Sequence, residues 1–497
     1  MEIIDFLKKH QYHIFVAFNL LWIWALLSPN IYYFDDNYRA AGGYYNWGGD
    51  FRPFADYLYY ILGMGRNFTD LTPLPQLFAL VFLYSIYFLY IKKFNAGKIN
   101  IPILLVFLPI VWSPFLLANL YFRYDSIFML LAVLLSVLAV FYVDKKQYIR
   151  AGLLLFVACG FYQPAIVAYV CTTLFIVYTL QAESKNGLFQ LWLKKSFIYF
   201  LVFLGGVATY YFTIMKFTTE YNSYSSTHNQ MLISNIVPNL ISSLKKVGII
   251  FQGDTGFVFA ALFFYLIVFN LFFLIKKFSY FGIVIFLFVH TIFAMSAAGV
   301  NLLLDIPQFE YRTFIFLGFY ISYLLLSAKF LLKQDSSKKY LYSILLFTCF
   351  YFLSIALNTS NAQKEKNSLE KILLTEVVRN FNNYNLNMRK KIVFYGEINT
   401  RIIQIIIDKY PIIYGIAEGN IYYGFEIQNY YEHMLNIPRF RYRADKHLFI
   451  LKHGKEFSVI HDDIFYTIYE SSSTLLVCFK LQNLEEKSCK SMIEGIL

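Results

Sequence analysis

Long apolar runs broken by short polar connections set the pattern of most of the chain. A helix that crosses a bilayer needs roughly 20 mostly apolar residues. By that measure about eleven segments read as membrane spans: 13–31, 72–91, 101–118, 126–143, 149–162, 165–180, 197–215, 256–275, 279–299, 313–332 and 340–357. Segments 149–162 and 165–180 are short taken singly, and Gln163-Pro164 divides them. They read as two spans meeting at the surface or as one kinked helix. From about 358 the pattern changes. Leu369, Ile372, Leu373, Val377 and Phe381 form a helical stripe within 364–382. KKIVFYGEI reads as a strand, IIQIIIDKY as a helix, and PIIYGIA and STLLVCFK as strands. The expectation is a polytopic α-helical membrane domain over 1–357 and a small α/β domain over 358–497, an ordinary domain size.

The connection over 32–71 is too long and too patterned for a plain link. Pro53 can start a helix. Phe54, Leu58, Ile61 and Leu62 then make an apolar face with Tyr57, Tyr59 and Tyr60 around it, as in an interfacial or re-entrant element lying on the membrane.

Composition sharpens the class. The chain is 58% hydrophobic, 21% aromatic and 15% charged, where soluble domains carry about 25% charged residues. Such aromatic content excludes a disordered chain, and 24 Gly and 5 Cys in 497 residues exclude a collagen or a small disulfide scaffold. The net charge of +12 would point to nucleic acid in a soluble protein, but here its placement is a topology signal. Lys8-Lys9, Lys92-Lys93-Lys98, Lys145-Lys146-Arg150, Lys185 with Lys194-Lys195, Lys276-Lys277, and Lys333 with Lys338-Lys339 all fall on one side if 149–180 holds two spans. With one span there, the later clusters switch sides. Two spans are therefore preferred, with a cytoplasmic N-terminus. Lys245-Lys246 is the main exception on the opposite side. An odd number of spans then puts the C-terminal domain outside the cytoplasm.

The first span has a basic flank but no small-residue cleavage site, so it does not read as a cleaved signal. Cys159, Cys171 and Cys349 sit in spans as small hydrophobes. Cys478 and Cys489 both fall on the oxidising side, where a disulfide and two free thiols remain equally open. The eight His show no HxxxH or HxH spacing, so no metal site is expected. His290 lies inside the ninth span, where a hydrogen bond to a neighbouring helix is its expected role. No Gly-rich phosphate loop occurs, which argues against a nucleotide-driven pump or a nucleotide-sugar enzyme.

Charge close to the bilayer marks function in membrane proteins, and the connection YYFDDNYRAAGGYYNWGGDFRPFADYLYYILGMGRNFTDLTP is richest in it. Asp35-Asp36 sits where the first span surfaces. A carboxylate there can serve as a general base, and Arg39, Arg52 and Arg66 can hold a phosphate as guanidinium forks do. The bland alternative is that Asp35 caps a helix and pairs with Arg39 four residues on. NLYFRYDS places Arg123 and Asp125 at the start of the fourth span, where Asp125 reads more simply as an N-cap. Tyr162 and Gln163 of GFYQPA read as the turn before a Pro-started helix. DIPQFEYR offers Glu310 and Arg312, whose bland reading is an exposed ion pair. Asp70 can cap the second span. These sites all lie at one depth on one side and can converge on one cavity.

FDDNYR, then NWGGDFRPFADYLYYIL, then TDLTPLPQLFA resembles the first-loop signature of the Gtr O-antigen glucosyltransferases: Asp-Asp, an aromatic, Arg, then Trp, Gly-Arg-Pro and Asp-x-x-Pro-Leu. SPFLLANLYFRYDSIFMLLAVL and FYQPAIVAYV resemble their next blocks. The resemblance covers about 1–175. It departs at GDFRPF, where the family more often has Gly directly before Arg-Pro. It implies a GT-C-like integral membrane glycosyltransferase of the bacterial inner membrane, with the C-terminal domain periplasmic. The implied donor is a polyprenyl phosphate sugar, undecaprenyl phosphate-glucose, and the acceptor a hydroxyl of O-antigen, as in lipopolysaccharide modification and serotype conversion. No nucleotide sugar, metal or other cofactor is implied. A flippase and a cytoplasmic polyprenyl-phosphate glucosyltransferase are implied functional partners.

The resemblance places Asp35 or Asp36 as catalytic base, and Arg39 and Arg52 nearby. Arg123 and Arg312 are further candidates for the donor phosphate. Trp47, Asp70, Asp125, Tyr162, Gln163 and Glu310 are candidates for substrate binding or structural support. Direct attack from the face opposite the phosphate inverts the anomeric centre, so one base suffices, unlike the two-carboxylate hydrolases. Rival readings are another lipid-linked sugar transferase, a polysaccharide polymerase, and a lipid-carrier flippase or exporter. A flippase would carry charge deep in several spans, whereas these spans are nearly free of it.

Overall fold

Prolines decide where several helices begin and bend. Ser113 precedes Pro114, and the ring of a proline drives the preceding residue out of helical backbone. Ser113 accordingly sits at φ −51°, ψ 125°. It splits one apolar run into α5 (Ile101–Trp112) and α6 (Pro114–Leu120), bent by 53°. In the computed structural model, residues 2–43, 45–65, 69–183, 188–216, 231–278, 280–331, 335–386, 390–395, 400–417 and 457–480 are described. Arg66, Cys489 and the basic stretch 438–447 lie outside them.

The remaining helices are α1 (Glu2–Leu27), α2 (Asp35–Gly42), α3 (Pro53–Leu62), α4 (Leu74–Phe94), α7 (Ser126–Asp144), α8 (Tyr148–Phe161), α9 (Val167–Glu183) and α10 (Leu188–Tyr210). They are followed by α11 (Ile236–Val247), α12 (Gly253–Phe278), α13 (Tyr280–Ala298), α14 (Phe316–Leu331), α15 (Asp335–Asn383), α16 (Arg401–Lys409) and α17 (Ile412–Ile416). Among the described residues, six helices are long and apolar enough to cross a membrane, or seven if the bent pair is one span. The expected eleven is met only in part. Segments 149–162, 165–180 and 313–332 fall on apolar helices of 10–17 residues. Between α8 and α9, Tyr162 turns extended and a 3-10 turn over Gln163–Ile166 follows, so this stretch is two helices and not one kinked helix.

The chain divides into two compact units. The first comprises Met1–Leu27, Tyr45–Arg66 and Leu71–Leu357; the second comprises Ser28–Tyr44, Asn67–Asp70 and Asn358–Leu497. The first-loop segments 28–44 and 67–70 thus group with the C-terminal residues, although a simple cut at 357/358 assigns them to the membrane domain.

Within the first unit, α7 carries a nearly continuous apolar run and packs against α4, α8 and α9. Gly318 of α14 lets that helix approach α5 closely: a Cβ there would lie 2.4 Å from the Pro109 carbonyl oxygen. At one end of the bundle Lys93 pairs with Asp144 at 2.5 Å, and Lys329 Nζ donates to Asn95 Oδ1 at 3.1 Å. These contacts tie the C-terminal end of α4, with Lys92 and Lys93, to Asp144 at the end of α7 and the residue after α4 to Lys329 of α14.

In the second unit, β1 (Lys391–Tyr395), β2 (Ser458–Asp462), β3 (Tyr466–Glu470) and β4 (Thr474–Phe479) form a sheet of order β1-β4-β3-β2. β1 runs parallel to β4, and the other neighbours are antiparallel. Alternation splits the strands between two faces. Ile392, Phe394, Ile468, Leu475 and Val477 pack with Leu373, Val377 and Phe381 of α15, while Val393, Tyr469, Leu476 and Cys478 line the other face. Ile372, expected in the helical stripe, is instead 59% exposed. PIIYGIA, expected as a strand, contains α17: Pro411 takes helical backbone and starts it. Cys478 is disulfide-bonded.

Candidate functional site

The site of the first unit is built on a tight turn. Gly48–Asp50 form a 3-10 turn, and Phe51 leaves it at φ 61°, ψ 30°, a left-handed conformation that a bulky residue rarely adopts. Several groups hold it there. The Phe51 carbonyl accepts from Tyr210 Oη at 2.5 Å and from Gln163 Nε2 at 3.2 Å. Gln163 Nε2 also donates to the Asp50 carbonyl at 3.2 Å. From the other side Asp56, in the first turn of α3, accepts the backbone N–H of Asn46, Trp47 and Gly48 at 3.1, 3.0 and 2.6 Å. The turn is thus fixed from α10, from the α8–α9 connection and from α3, and it delivers Arg52.

Arg52 is 17% exposed, and its Nη1 lies 3.7 Å from Asp125 Oδ2. Its guanidinium carbon sits 5.0 Å from the centre of the Tyr162 ring, a cation–π contact. Asp125 is 2% exposed, and its Oδ1 accepts from Trp47 Nε1 at 2.7 Å. Asp125 occupies the N-cap position of α7 but makes no capping hydrogen bond. The capping role favoured from sequence is therefore not the one its side chain takes. Trp47 is fully buried against Tyr59 and Phe128, and its indole N–H is turned to Asp125.

Tyr162 joins this group to a second arginine. Its hydroxyl donates to the Arg312 carbonyl at 3.1 Å, which also accepts from Asn119 Nδ2 at 3.0 Å. The Arg312 side chain pairs with Glu310 at 2.5 Å and lies over Phe122 at 5.1 Å. Burial pushes the Tyr162 phenol up to about 12, with Arg312 and Arg52 pulling it back, so it remains a neutral donor at physiological pH. Arg123, 7% exposed, is buried in the turn before α7. Tyr162 thus meets the Arg52 guanidinium with its ring and the Arg312 backbone with its hydroxyl, and guanidinium groups recognise phosphate or carboxylate.

The second unit holds the other predicted residues. Asp35 and Asp36 open α2 behind Phe34, which sits at φ 46°, ψ −115°. Asp36 is fully buried, and its Oδ2 accepts the Tyr33 N–H at 3.0 Å. Asp35 is half-buried. Arg39, three residues after Asp36, is 5% exposed. Asp70 accepts from Tyr32 Oη at 3.0 Å, and Pro73 occupies the N-cap position of α4, so Asp70 is not that helix's cap. Tyr33 Oη and Gln363 Nε2 both donate to the Ile416 carbonyl at 2.9 Å, which fixes the loop before α2 to the C-terminal residues.

Residues 24–319 match the family described as glucosyl transferase GtrII. The chain belongs to the GtrII glucosyltransferase family. The matched span contains every residue described above from Phe34 to Arg312. A curated relative from Salmonella phage P22, described as an uncharacterized 55.3 kDa protein in the gtrB 5' region, is 26% identical over 260 residues. That alignment covers 50% of this chain and 53% of the relative, so the chain spans about half the length of the curated relative it matches. No solved structure matches.

For this GtrII member, sequence reasoning missed Asp56, Asn119 and Tyr210. Asp56 had a local signal, an acidic residue in the first turn of a Pro-started helix just after a Gly-Gly turn. Tyr210 had none, because its partner Phe51 lies 159 residues away. The apolar face expected for α3 is also rotated: Tyr59 is wholly buried, and Tyr57, Tyr60 and Ile61 are exposed at 68, 48 and 69%.

Proposed function

We propose that the protein is an integral membrane glucosyltransferase that passes glucose from undecaprenyl phosphate-glucose to a hydroxyl of O-antigen or a related surface polysaccharide. The observation that carries this reading is Tyr162, which carries the Arg52 guanidinium on its ring and holds the Arg312 backbone by its hydroxyl, within the family-matched residues. Arg52 and Arg312 are assigned to the donor phosphate. Asp125 and Trp47 set the position of Arg52, and Gln163, Tyr210 and Asp56 hold the turn that carries it. Arg39 and Arg123 are more deeply buried and are assigned to positioning.

Asp35 is the general base of the proposal. Asp36 is buried and already engaged by a backbone N–H, which suits it to holding the start of α2; half-buried Asp35 is the carboxylate a substrate can reach. The acceptor oxygen attacks the anomeric carbon while Asp35 takes its proton. The bond from that carbon to the phosphate oxygen breaks, and the pair of electrons leaves on the polyprenyl phosphate, whose charge the arginines stabilise. Attack opposite the leaving group inverts the anomeric centre. The donor lipid is a co-substrate, and the proposal calls for no other cofactor.

The proposed setting is a GT-C-like arrangement of about eleven spans in the bacterial inner membrane, N-terminus cytoplasmic and C-terminal residues periplasmic. The disulfide at Cys478 suits that oxidising side. A flippase and a cytoplasmic polyprenyl-phosphate glucosyltransferase would supply the donor. In proteoliposomes, Arg52→Ala and Arg312→Ala are expected to weaken donor binding at least about tenfold, the loss of a charge-assisted contact. Undiminished binding of the polyprenyl phosphate sugar in both variants would remove these arginines from the phosphate role.

A further inference from the structure

Helix α11 exposes apolar side chains while burying two polar ones beside Val247. Asn239 and Ser243 are buried, while Val237, Ile241 and Leu244 are exposed at 62, 48 and 42%. The exposed three recur at i, i+4 and i+7, one stripe of a helix. Ile233, in the turn before α11, is exposed at 83%. The two buried polar residues are satisfied: Asn239 Nδ2 donates to the Asn301 and Leu304 carbonyls at 2.8 Å each. Ser243 Oγ donates to the Asn239 carbonyl at 2.8 Å. A helix facing water carries polar residues along its exposed stripe, so this apolar stripe calls for an apolar medium.

The surroundings say what that medium is. α11 packs against α13, a candidate span whose Ile283, Val284 and Leu287 are exposed at 41, 52 and 59%. Lys245 and Lys246, both exposed, close α11. Lys246 Nζ lies 4.8 Å from the centre of the Tyr311 ring, beside Arg312. The pair is therefore at the end of the bundle that holds Arg312, away from the lysines gathered around Asp144 and Asn95. The positive-inside rule does not account for it. A helix C-terminus favours lysine by itself, but this leaves the apolar stripe unexplained.

We propose that α11 is an interfacial anchor whose apolar stripe lies among the lipid chains and whose Lys245 and Lys246 bind the phosphates of anionic glycerophospholipids. A helix of this kind combines buried apolar area with attraction to anionic headgroups. The inference is independent of the transferase reading, because it rests on the exposed apolar stripe of α11 and the exposed lysine pair.

The test uses full-length protein in vesicles of phosphatidylcholine and phosphatidylglycerol. Spin labels are placed on Val237→Cys, Ile241→Cys and, as a reference, Ile464→Cys, where the native side chain is 80% exposed in the sheet unit. Labels at 237 and 241 are expected to be relaxed at least about threefold more by oxygen than by a water-soluble nickel chelate, with the order reversed at 464. The double variant Lys245→Gln/Lys246→Gln is expected to lose at least about half of the phosphatidylglycerol that the wild type retains over phosphatidylcholine. Nickel relaxation at 237 and 241 equal to that at 464 would overturn the anchor. A double variant that keeps its phosphatidylglycerol while losing binding of polyprenyl phosphate would overturn the phospholipid assignment and give the pair to the donor.

Discussion

Arg52 owes its position to residues scattered over most of the membrane unit. Phe51 holds a left-handed backbone that costs a non-glycine residue about 1–3 kcal/mol, offset by hydrogen bonds from Gln163 and Tyr210 to its carbonyl. Tyr210→Phe removes the shorter of these and is expected to lower stability by about 1 kcal/mol. It should also raise the donor KM more than it lowers kcat, because it loosens the turn that carries Arg52 without touching the base. A thermal melt and transfer kinetics check both; an unchanged KM would separate the turn from donor binding. At this scale the sequence shows which residue types matter but not what they face. Asp125 looked like an N-cap because it precedes an apolar run, and that local signal is genuine. Its side chain is drawn away by Trp47, 78 residues distant in the chain, and no local pattern reports such a partner.

Elements were most legible where their edges carry a stop signal. The break at Gln163-Pro164 was legible this way; the one at Ser113-Pro114 was not read, and 101–118 is two bent helices where one span was expected. The apparent boundary at 358 is different. The stretch 335–383 contains neither Gly nor Pro, so nothing halts the helix, and α15 runs on for 49 residues, about 70 Å at 1.5 Å per residue. The change of composition marks a change in what the helix faces and not its end. Strand β2 was missed because its burial pattern, exposed at both ends, lacks the clean alternation of a core strand. The apolar run of α17 is too short for periodicity to separate helix from strand. Close approach is the other element-level determinant. Gly318→Ala places a methyl against the Pro109 carbonyl, and it is expected to push α14 from α5 at a cost of about 1–3 kcal/mol. A lowered melting temperature with intact helical circular dichroism is the predicted result; an unchanged melt would show that the two helices part freely.

At the scale of the molecule, hydropathy carried the class, because apolar helices of spanning length are what it reports. α7 runs 19 residues, about 28 Å, from Asp125 in the arginine site to the Lys93–Asp144 pair. That is close to the hydrocarbon thickness of roughly 30 Å. The grouping of residues 28–44 with the C-terminal residues was not legible, because its hydrogen bonds join positions more than 300 apart. Through it the C-terminal residues reach the proposed base, since the Ile416 carbonyl accepts from Tyr33, two residues before Asp35. Tyr33→Phe is expected to leave the membrane unit folded and to lower transfer by about fivefold, the kinetic equivalent of one hydrogen bond. Full transfer by this variant would show that the tether is dispensable.

The central claim is that Asp35 takes the proton of the acceptor while Asp36 holds the start of α2. Transfer from undecaprenyl phosphate-glucose to O-antigen, measured with purified Asp35→Asn in proteoliposomes, tests it most directly. The predicted result is a fall in kcat of at least about 10²-fold, the usual contribution of a general base, with donor binding and thermal stability retained. Transfer by Asp35→Asn at the wild-type rate would contradict the account.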